Sequence, residues 1–424
     1  MLAAARGAII PSVDSENAAM LLRRLAGIRA GAAVLDALRR ASPAGTGVYL
    51  VGGAVRDLLL GDDPLDLDLA VEGEVAALAR ALGGTQRAHG RFGTCTVTIG
   101  GMRVDLARTR SEAYDRPGAL PRILGPADIG SDLRRRDFTV NAIALGLAGA
   151  DRGRLLAPGG ALEDLRARRL RVLHSESFAD DPTRILRLAR YAARPGYSVA
   201  PDTRALAVRA LSQGAFETVS GERIGVELRL LAAERDPVAA LLCARELGAD
   251  EAIEPGFGLA EPELARRALR LLARQGDRAA VTLAVALGGV RHARRGPLLH
   301  ELAFPAGLRE RVLEAAGRAA ALADALQAAR RPSEIAAAVG RLGPDTVALA
   351  GALGAEPAAR RWLSELCHVR LAIDGRDLLA AGVPAGPAVG AGLAAARAAA
   401  LDGRAVEAAS QLEEALRAAA AVAG

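Results

Sequence analysis

The sequence predicts an α+β protein, in which a small N-terminal unit of mixed sheet and helices precedes a chain that is helical almost throughout. Short strand-like segments separated by Gly-rich turns are confined to the first ~145 residues. Beyond about residue 150, apolar residues recur at three- and four-residue spacing. Aromatic residues make up only 3% of the 424 residues, and a chain dominated by Ala and Leu disfavours an all-β sandwich or barrel.

The N-terminal unit is expected to begin with an amphipathic, Arg-containing helical region of ~45 residues. A strand follows and ends at Gly52-Gly53. Residues 65–71 alternate with period two, which predicts a strand with Asp66 and Asp68 on one face. Gly100-Gly101 is a hairpin signal between two later strands. The strands are expected at 47–51, 65–71, 94–99 and 102–109, and the helices at 54–60 and 74–82.

Composition limits the class of protein further. A length of 424 residues suggests two to four domains, and 51% apolar with 25% charged residues is typical of a globular protein with an ample core. The three cysteines are widely separated, which favours free thiols in a reducing compartment over a zinc site. The longest uncharged apolar stretch, 279–290, is too short to span a bilayer, and the N-terminal segment does not resemble a secretory signal. We therefore expect a cytoplasmic protein with no membrane partner.

The charge distribution favours a polyanionic partner. The net charge is +6, the pI is near 9.9, and no lysine occurs, so all 55 basic residues are arginines. A GC-rich genome is the simple explanation for Arg in place of Lys. The cluster of arginines between residues 134 and 194 is a separate feature, because guanidinium groups bind phosphate bidentately and stack on bases.

The first group of residues with chemical potential comprises Gly52-Gly53, Arg56-Asp57 and Asp66-x-Asp68. Two glycines after a strand let backbone N–H groups approach a phosphate closely. Two carboxylates on one strand face can hold two Mg²⁺ ions about 3.5–4 Å apart, and Asp105 on the hairpin could complete the site. Each feature alone is more simply a turn or a solvated strand face. Together they predict a metal site, because adjacent carboxylates repel unless a cation neutralises them.

The second group lies in residues 134–142, where three consecutive arginines precede Asp137 and Asn141. The guanidinium groups suit a triphosphate, Asp137 would orient an Arg or a ribose hydroxyl, and Asn141 offers both a donor and an acceptor. The simpler alternative is a basic loop that leads into a helix capped by Thr139.

The third group predicts a helix with Asp181 at its N-cap and Pro182 at its first position. Arg184 shares a face with Asp181, so the pair could present hydrogen bonds to a base edge. Arg187 and Arg190 continue a stripe that could contact RNA phosphates, unless it is only a solvated face. A further helix start at 220–227 is more simply structural than catalytic.

These stretches resemble the class II CCA-adding enzymes and bacterial poly(A) polymerases. LVGGAVRDLLLGDDPLDLDLAV resembles the family's nucleotidyltransferase motif, RRRDFTVNAIAL its second motif, and DDPTRILRLARYAAR its nucleotide-template helix. AIDGRDLLAAGVPAGPAVGAGL is similar to the tail of CCA-adding members. The resemblance implies a polymerase-β-like nucleotidyltransferase head followed by an all-helical neck, body and tail. The expected boundaries are 1–45 for the N-terminal helices, 46–148 for the head, 149–228 for the neck, 229–365 for the body and 366–424 for the tail.

The resemblance also assigns residues to roles. Asp66 and Asp68 would be catalytic and would bind Mg²⁺, with Asp105 as a third catalytic carboxylate. Asp181 and Arg184 would hydrogen-bond the incoming base, because an acidic acceptor reads the amino group that C and A share. Arg135 or Arg136 would assist with the triphosphate or the base. The full set expected to bind nucleotide is Gly52, Gly53, Arg56, Arg135, Arg136, Asp137, Asn141, Asp181, Arg184, Arg187 and Arg190.

The implied activity is addition of C and A to the 3′ end of tRNA from CTP and ATP, without a nucleic-acid template, by two-metal phosphoryl transfer. CC addition alone or A addition alone stays open, because a mobile loop at residues 111–121 would govern that division. Poly(A) polymerase is a further alternative, which the Ala-rich C-terminus disfavours. A non-catalytic RNA-binding protein is disfavoured because Asp66 and Asp68 are both present. The sequence does not give the oligomeric state.

Overall fold

The computed structural model of the protein describes residues 12–13, 15–41, 46–89 and 94–423. The chain forms two compact units, the first ending at Ser220 and the second starting at Gly221. Across the described residues, no helix is both long and apolar enough to cross a membrane.

The first unit is built on a mixed sheet. The described strands of this sheet are β1 (Ser12–Val13), β2 (Val48–Val51), β3 (Asp66–Val71), β4 (Thr85–His89), β5 (Thr94–Ile99), β6 (Met102–Arg108), β9 (Ala144–Ala148) and β10 (Leu155–Leu156). They follow the order β1-β10-β9-β2-β3-β6-β5-β4 across the sheet, in which only β3 and β6 pair in parallel. Between β6 and β9, β7 (Arg110–Ala113) and β8 (Arg122–Pro126) form a separate antiparallel pair.

Helices flank this sheet and continue to the end of the unit. They are α1 (Ser15–Gly27), α2 (Arg29–Ala41), α3 (Gly53–Leu60), α4 (Val75–Leu82), α5 (Ile129–Arg134), α6 (Ala161–Arg166), α7 (Ser177–Asp180), α8 (Thr183–Ala192) and α9 (Pro201–Ser212). Strands β2 and β9 are buried along their whole length, since they lie in the middle of the sheet. Tyr49 and Val51 of β2 pack with Leu133 of α5 in one core cluster.

The second unit is helical throughout its described residues. Its helices are α10 (Gly221–Ala232), α11 (Pro237–Leu247), α12 (Ala249–Ile253), α13 (Pro262–Leu271), α14 (Arg278–Ala286), α15 (His292–Glu301), α16 (Ala306–Ala328), α17 (Pro332–Val339), α18 (Pro344–Ala350), α19 (Glu356–Ser364), α20 (Gly375–Ala380), α21 (Pro387–Leu401) and α22 (Ala408–Ala423). Asp236 and Asp277 cap α11 and α14 by accepting hydrogen bonds from backbone N–H groups.

The fold class expected from the sequence is confirmed: a mixed sheet with helices precedes a mainly helical remainder. The strands expected at 47–51, 65–71, 94–99 and 102–109 correspond to β2, β3, β5 and β6. The stretch from 149 to 220 is not purely helical, because it includes β10 and the short parallel pair β11 (Arg169–Leu170) and β12 (Ser198–Val199). Strand β4 was not expected, since its polar residues Gln86 and Arg87 are exposed at the sheet edge and give no alternating pattern.

The helix expected at 220–227 is α10, and it packs closely on the end of α15. An added Cβ at Gly225 would overlap the carbonyl oxygen of Leu302, and one at Gly221 would overlap that of Glu301. Because both obstacles are backbone atoms, they cannot move aside as a flexible side chain would. The two glycines therefore set the distance between these segments.

Gly225→Ala is expected to lower the free energy of unfolding by about 1–3 kcal/mol, because it overpacks this contact. Gly317→Ala is the matched control, since Gly317 is exposed within α16 and its nearest neighbour would be 3.9 Å away. That variant should gain about 0.5–1 kcal/mol from helix propensity. Urea unfolding of both variants measures the difference, and equal stability of the two would contradict the packing argument.

Candidate active site

The carboxylates singled out in the sequence lie on neighbouring strands of the first unit. Asp66 and Asp68 alternate along β3, so they share one face of the sheet. Strand β6 runs parallel beside it, and Asp105 is the register partner of Asp68. Asp105 is already engaged, since Oδ1 accepts from Thr96 Oγ1 at 2.6 Å and Oδ2 pairs with Arg103 at 2.7 Å. The predicted juxtaposition of the three carboxylates is thus present in the fold.

This arrangement disfavours the ionised form of the Asp68 carboxyl. Burial raises the pKa of its carboxyl from 3.8 to about 6, and the neighbouring Asp66 and Asp105 add to the shift. Arg136 and Arg103 oppose it without reversing it. A bound cation would favour the ionised form of Asp68 by supplying the missing positive charge.

The turn after β2 lies close to Asp68 and Arg136. Gly52 has φ 68° and ψ −133°, a conformation that side chains rarely adopt. A Cβ there would lie 3.1 Å from Arg136 Nη1 and 3.7 Å from Asp68 Oδ2, so it would crowd the guanidinium group. The absence of a side chain at Gly52 therefore lets a carboxylate and a guanidinium group approach the backbone of the turn, and Gly53 begins α3 directly behind it.

The oxygen donors fit a Mg²⁺ ion that is only partly held by protein. In the part of the chain that the structure describes, no three Asp, Glu, His or Cys side chains converge closely enough to hold a metal by themselves. Mg²⁺ is commonly bound through one or two carboxylates, with water and substrate phosphates as its other ligands. Asp66 and Asp68 supply that number of carboxylates.

A network of hydrogen bonds links the segments that carry the other residues predicted to bind nucleotide. Arg56 is only 7% exposed, pairs with Asp57 at 2.7 Å and donates to Asn141 Oδ1 at 2.8 Å. Asn141 Nδ2 donates to Asp137 Oδ1 at 3.0 Å, and Arg187 Nη2 donates to Asp137 Oδ2 at 2.8 Å. The expectation that Asp137 orients an Arg agrees with this geometry. The simpler alternative, a basic loop that leads into a helix capped by Thr139, does not form, since Thr139–Asn141 is a single 3₁₀ turn that follows Phe138.

Asp137 stays ionised at the centre of this hydrogen-bond network. Burial alone would raise its pKa, but the charge of Arg187 and hydrogen bonds from Asn141, Arg187 and the Phe138 backbone hold the pKa below the usual value. A buried carboxylate with this many donors is fixed in position, because any rotation would break a charge-assisted hydrogen bond.

Residues 135–141, which we call the RRD segment, carry two arginines, and acidic side chains hold both of them. Asp132 accepts from Arg135 Nε at 3.0 Å and from Arg136 Nη2 at 3.1 Å. Glu112 of β7 adds a contact of 3.3 Å to Arg135 Nη1. Among the described residues, the buried Nε of Arg136 has no hydrogen-bond partner. Arg136, beside Gly52 and Asp68, is thus the better placed of the two for an anion at the turn.

The start of α8 differs by one residue from the prediction, because the helix begins at Thr183 and Pro182, not Asp181, occupies the N-cap position. Asp181 Oδ1 still accepts from the Thr183 backbone N–H at 3.0 Å and from its hydroxyl at 2.6 Å, so it satisfies donors at the helix start. Arg184 is buried and donates to Ser177 Oγ at 2.7 Å and to the Arg135 carbonyl oxygen at 2.8 Å. Arg184 therefore ties α8 to the RRD segment. Arg190, also predicted, lies 4.8 Å from the ring centroid of Tyr191.

The segment expected to be a loop at 111–121 is partly ordered by β7 and β8. Arg122 pairs with Asp115 at 3.2 Å across it, and the Gly118 backbone N–H donates to the Ala179 carbonyl oxygen of α7 at 3.0 Å. Its tip is thus attached to the segment that leads into α8.

Sequence reasoning missed several residues that organise the site. Asp132 lies three and four residues before the arginines that it holds, so helical spacing could have identified it. Thr96 is the cross-strand partner of Asp105, so the register of the predicted hairpin could have identified it. Glu112 and Ser177 lie 23 and 7 residues from the arginines that they contact, and no local pattern marks either of them.

Comparison with known proteins agrees with this geometry. The family model described as the poly A polymerase head domain matches residues 48–171. An A-adding tRNA nucleotidyltransferase of Geobacter sulfurreducens is 40% identical over 218 residues, 50% of this chain and 25% of that protein. A CC-adding tRNA nucleotidyltransferase of Deinococcus radiodurans is 37% identical over 366 residues, 85% of this chain and 86% of that protein. The chain spans between 25% and 46% of the A-adding relatives it matches.

Solved structures match along nearly the whole chain. A Thermotoga maritima CCA-adding enzyme complexed with tRNA has a TM-score of 0.71 and 26% identity, and the match covers 97% of this chain and 99% of that one. A CCA-adding enzyme with CTP has a TM-score of 0.76 and 26% identity, covering 94% and 98%. The match across 86% of the Deinococcus protein, with the carboxylate strands and the RRD segment in one unit, establishes that this chain belongs to the class II tRNA nucleotidyltransferase family.

Proposed function

We propose that this chain is a tRNA nucleotidyltransferase that adds C and A to the tRNA 3′ end from CTP and ATP, without a nucleic-acid template. The observation that carries the proposal is the approach of the Asp68 carboxylate and the Arg136 guanidinium to the same glycine turn at Gly52. The carboxylate suits a cation and the guanidinium suits a phosphate. The names of the relatives and the solved complexes support tRNA, CTP and ATP as substrates.

The proposed chemistry assigns one task to each side of the site. Asp66 and Asp68 would hold Mg²⁺, which when bound activates the RNA 3′-hydroxyl and stabilises charge on the α-phosphate and the leaving pyrophosphate. Asp105 lies beside Asp68 on the next strand and adds to the negative charge that the cation would neutralise. The backbone of Gly52 and Gly53 would approach the triphosphate, and Arg136 would donate to its oxygens through Nη1, the guanidinium nitrogen closest to Gly52.

Base recognition is assigned to the start of α8. Asp181 would accept the amino group that C and A share, whereas U and G present a carbonyl at that place. Arg184 has five N–H donors, more than its contacts with Ser177 and Arg135 use, so it can also donate to the base. The hydrogen-bond network would fix the angle of α8 relative to the metal-binding strand β3. It runs from Arg56 through Asn141 and Asp137 to Arg187.

CC addition alone is the second candidate, because the Deinococcus relative that matches over 86% of its length bears that name. A addition alone is also open, since the relatives with that name match the chain over shorter spans. We further propose a cytoplasmic location, supported by Cys95, Cys243 and Cys367, which form no disulfide in the described structure.

The deciding assay uses tRNA transcripts that end at the discriminator base, at C and at CC, each with Mg²⁺ and CTP, ATP or both. Addition of C, C and A followed by arrest is the expected result. Arrest after CC, or extension of only the CC transcript, would assign a partial activity, and an unlimited A ladder would make the chain a poly(A) polymerase. Asp66→Ala and Asp68→Ala should each lose at least about 10³-fold in rate.

The control for those variants is Asp63→Ala, because Asp63 is an acid in the same turn region with an 86% exposed side chain. It should stay within about twofold of the unsubstituted protein. Full activity of Asp66→Ala or Asp68→Ala would refute the assignment of the metal site.

Asp68→Asn should stabilise the metal-free protein above pH 7. The native pKa of about 6 exceeds 3.8, so the folded state binds the proton more tightly than the unfolded state. The free energy of unfolding therefore falls as pH rises between those values. With EDTA, the variant should gain about 1–3 kcal/mol at pH 8 and progressively less toward pH 4.

Mg²⁺ should raise the melting temperature of the unsubstituted protein and leave that of Asp68→Asn nearly unchanged. Asp324→Asn, at an exposed position of α16, controls for the loss of one negative charge. A gain from Asp324→Asn equal to that from Asp68→Asn would attribute the effect to net charge and contradict the local argument.

Asp181→Asn tests base reading without removing the acceptor at the helix start, because the Asn carbonyl oxygen can still accept from Thr183. Its amide N–H₂ would face the base edge as a donor and would match the carbonyl of U or G. We expect UTP incorporation relative to CTP to rise at least about tenfold. Single-nucleotide addition to the discriminator-ended transcript measures the ratio, and continued rejection of UTP would rule out Asp181 as the reading group.

A further inference from the structure

Four arginine side chains surround the ring of Tyr191 in the first unit. The guanidinium carbons of Arg190 and Arg194 lie 4.8 Å from the ring centroid, that of Arg56 lies 5.6 Å away and that of Arg187 lies 5.7 Å away. These distances are within the range of cation–π attraction. The contribution of Tyr191 rests on the proposed function, because three of these arginines belong to the expected nucleotide-binding set.

The ring joins three segments that are distant in sequence. Arg187, Arg190 and Arg194 come from α8 and the residues just after it, whereas Arg56 comes from α3, next to the Gly52 turn. The edge of Phe138, in the RRD segment, meets the ring at 5.9 Å with an interplanar angle of 88°. Tyr191 therefore lies where three parts of the site meet: α3, which follows the Gly52 turn, the RRD segment and helix α8.

Four positive charges around one ring repel each other in the absence of an anion. Asp57 pairs with Arg56 and Asp137 pairs with Arg187, and these carboxylates offset part of the repulsion. The electron-rich face of the ring attracts guanidinium groups, and the Tyr191 hydroxyl accepts from Arg187 Nη2 at 3.3 Å. The ring thus gives the arginines a common partner before any substrate arrives.

We propose that Tyr191 is a positioning residue of the nucleotide site, whose ring holds the four guanidinium groups in the arrangement that receives the nucleotide. It acts through the arginines and does not itself contact the reacting atoms. Without the ring, the cation–π contacts of Arg190 and Arg194 at 4.8 Å are lost, whereas Arg56 and Arg187 keep their acidic partners. Binding of the anionic nucleotide must then bring Arg190 and Arg194 back into position. That change weakens nucleotide binding equally in the ground state and in the transition state, so it raises KM and leaves kcat nearly unchanged.

The test compares Tyr191→Leu with Tyr191→Phe in single-nucleotide addition. Tyr191→Leu removes the aromatic face, whereas Tyr191→Phe keeps the face and removes only the hydroxyl. We expect Tyr191→Leu to raise KM for CTP and ATP about tenfold with kcat within about threefold, and Tyr191→Phe to stay within about threefold in both constants. The matched control is Phe304→Leu, because Phe304 receives a single arginine, Arg229, at 5.4 Å in the second unit. It should leave KM unchanged.

Tripolyphosphate provides a readout that needs no chemistry. It should raise the melting temperature of the unsubstituted protein and of Tyr191→Phe by a similar amount, and that of Tyr191→Leu by less than half as much. If the unsubstituted protein transfers no nucleotide, the proposed function fails while these melting shifts still decide the role of the ring.

Three results would overturn the proposal. Equal KM values and equal tripolyphosphate shifts for Tyr191→Leu and the unsubstituted protein would show that the ring is dispensable. Equal impairment of the Leu and Phe variants would transfer the role to the hydroxyl. A fall in kcat of Tyr191→Leu at unchanged KM would place its effect in the transition state instead.

Discussion

The nucleotide site depends on one buried carboxylate. Asp137 accepts hydrogen bonds from the Phe138 backbone, Asn141 and Arg187, and Asn141 passes the connection on to Arg56. Through this group, the first helix after the phosphate turn, the RRD segment and α8 share one polar network. Loss of the carboxylate would leave the half-buried Arg187 guanidinium and the buried Asn141 amide without this acceptor, which is more costly than the loss of an exposed ion pair.

Around this network the site separates charge into two groups. Carboxylates gather at β3 and β6, where the pKa of Asp68 is raised, and arginines gather around Tyr191. Like charges repel within each group, and Arg136 and Arg103, which lie outside the group at Tyr191, lower the pKa of Asp68 without cancelling its upward shift. A metal–triphosphate complex carries charges of both signs and would neutralise both groups together. The free protein therefore gives up stability at the site in exchange for affinity, as active sites commonly do.

The sequence predicted those parts of the fold and site that depend on local periodicity. Period-two alternation placed Asp66 and Asp68 on one face, and the strand pattern placed Asp105 beside them. The helix start near Asp181 followed from residue type and the proline after it, although α8 begins one residue later than expected. The partners that hold the arginines could not be predicted in this way, because Glu112 and Ser177 approach them through tertiary packing. Strand β4 was missed because pairing with β5, not its own pattern, makes it a strand.

The position of β2 has a consequence for the order in which the chain is made. This strand, Val48–Val51, is entirely apolar and pairs on one side with β3 and on the other with β9. Strand β9 is synthesised about a hundred residues later, so a ribosome-bound chain exposes one edge of β2 during that interval. An unpaired apolar edge is a template for pairing with another chain. Aggregation during synthesis, more than instability of the finished protein, is thus the hazard that this topology creates, and truncation before Ala144 would make it permanent.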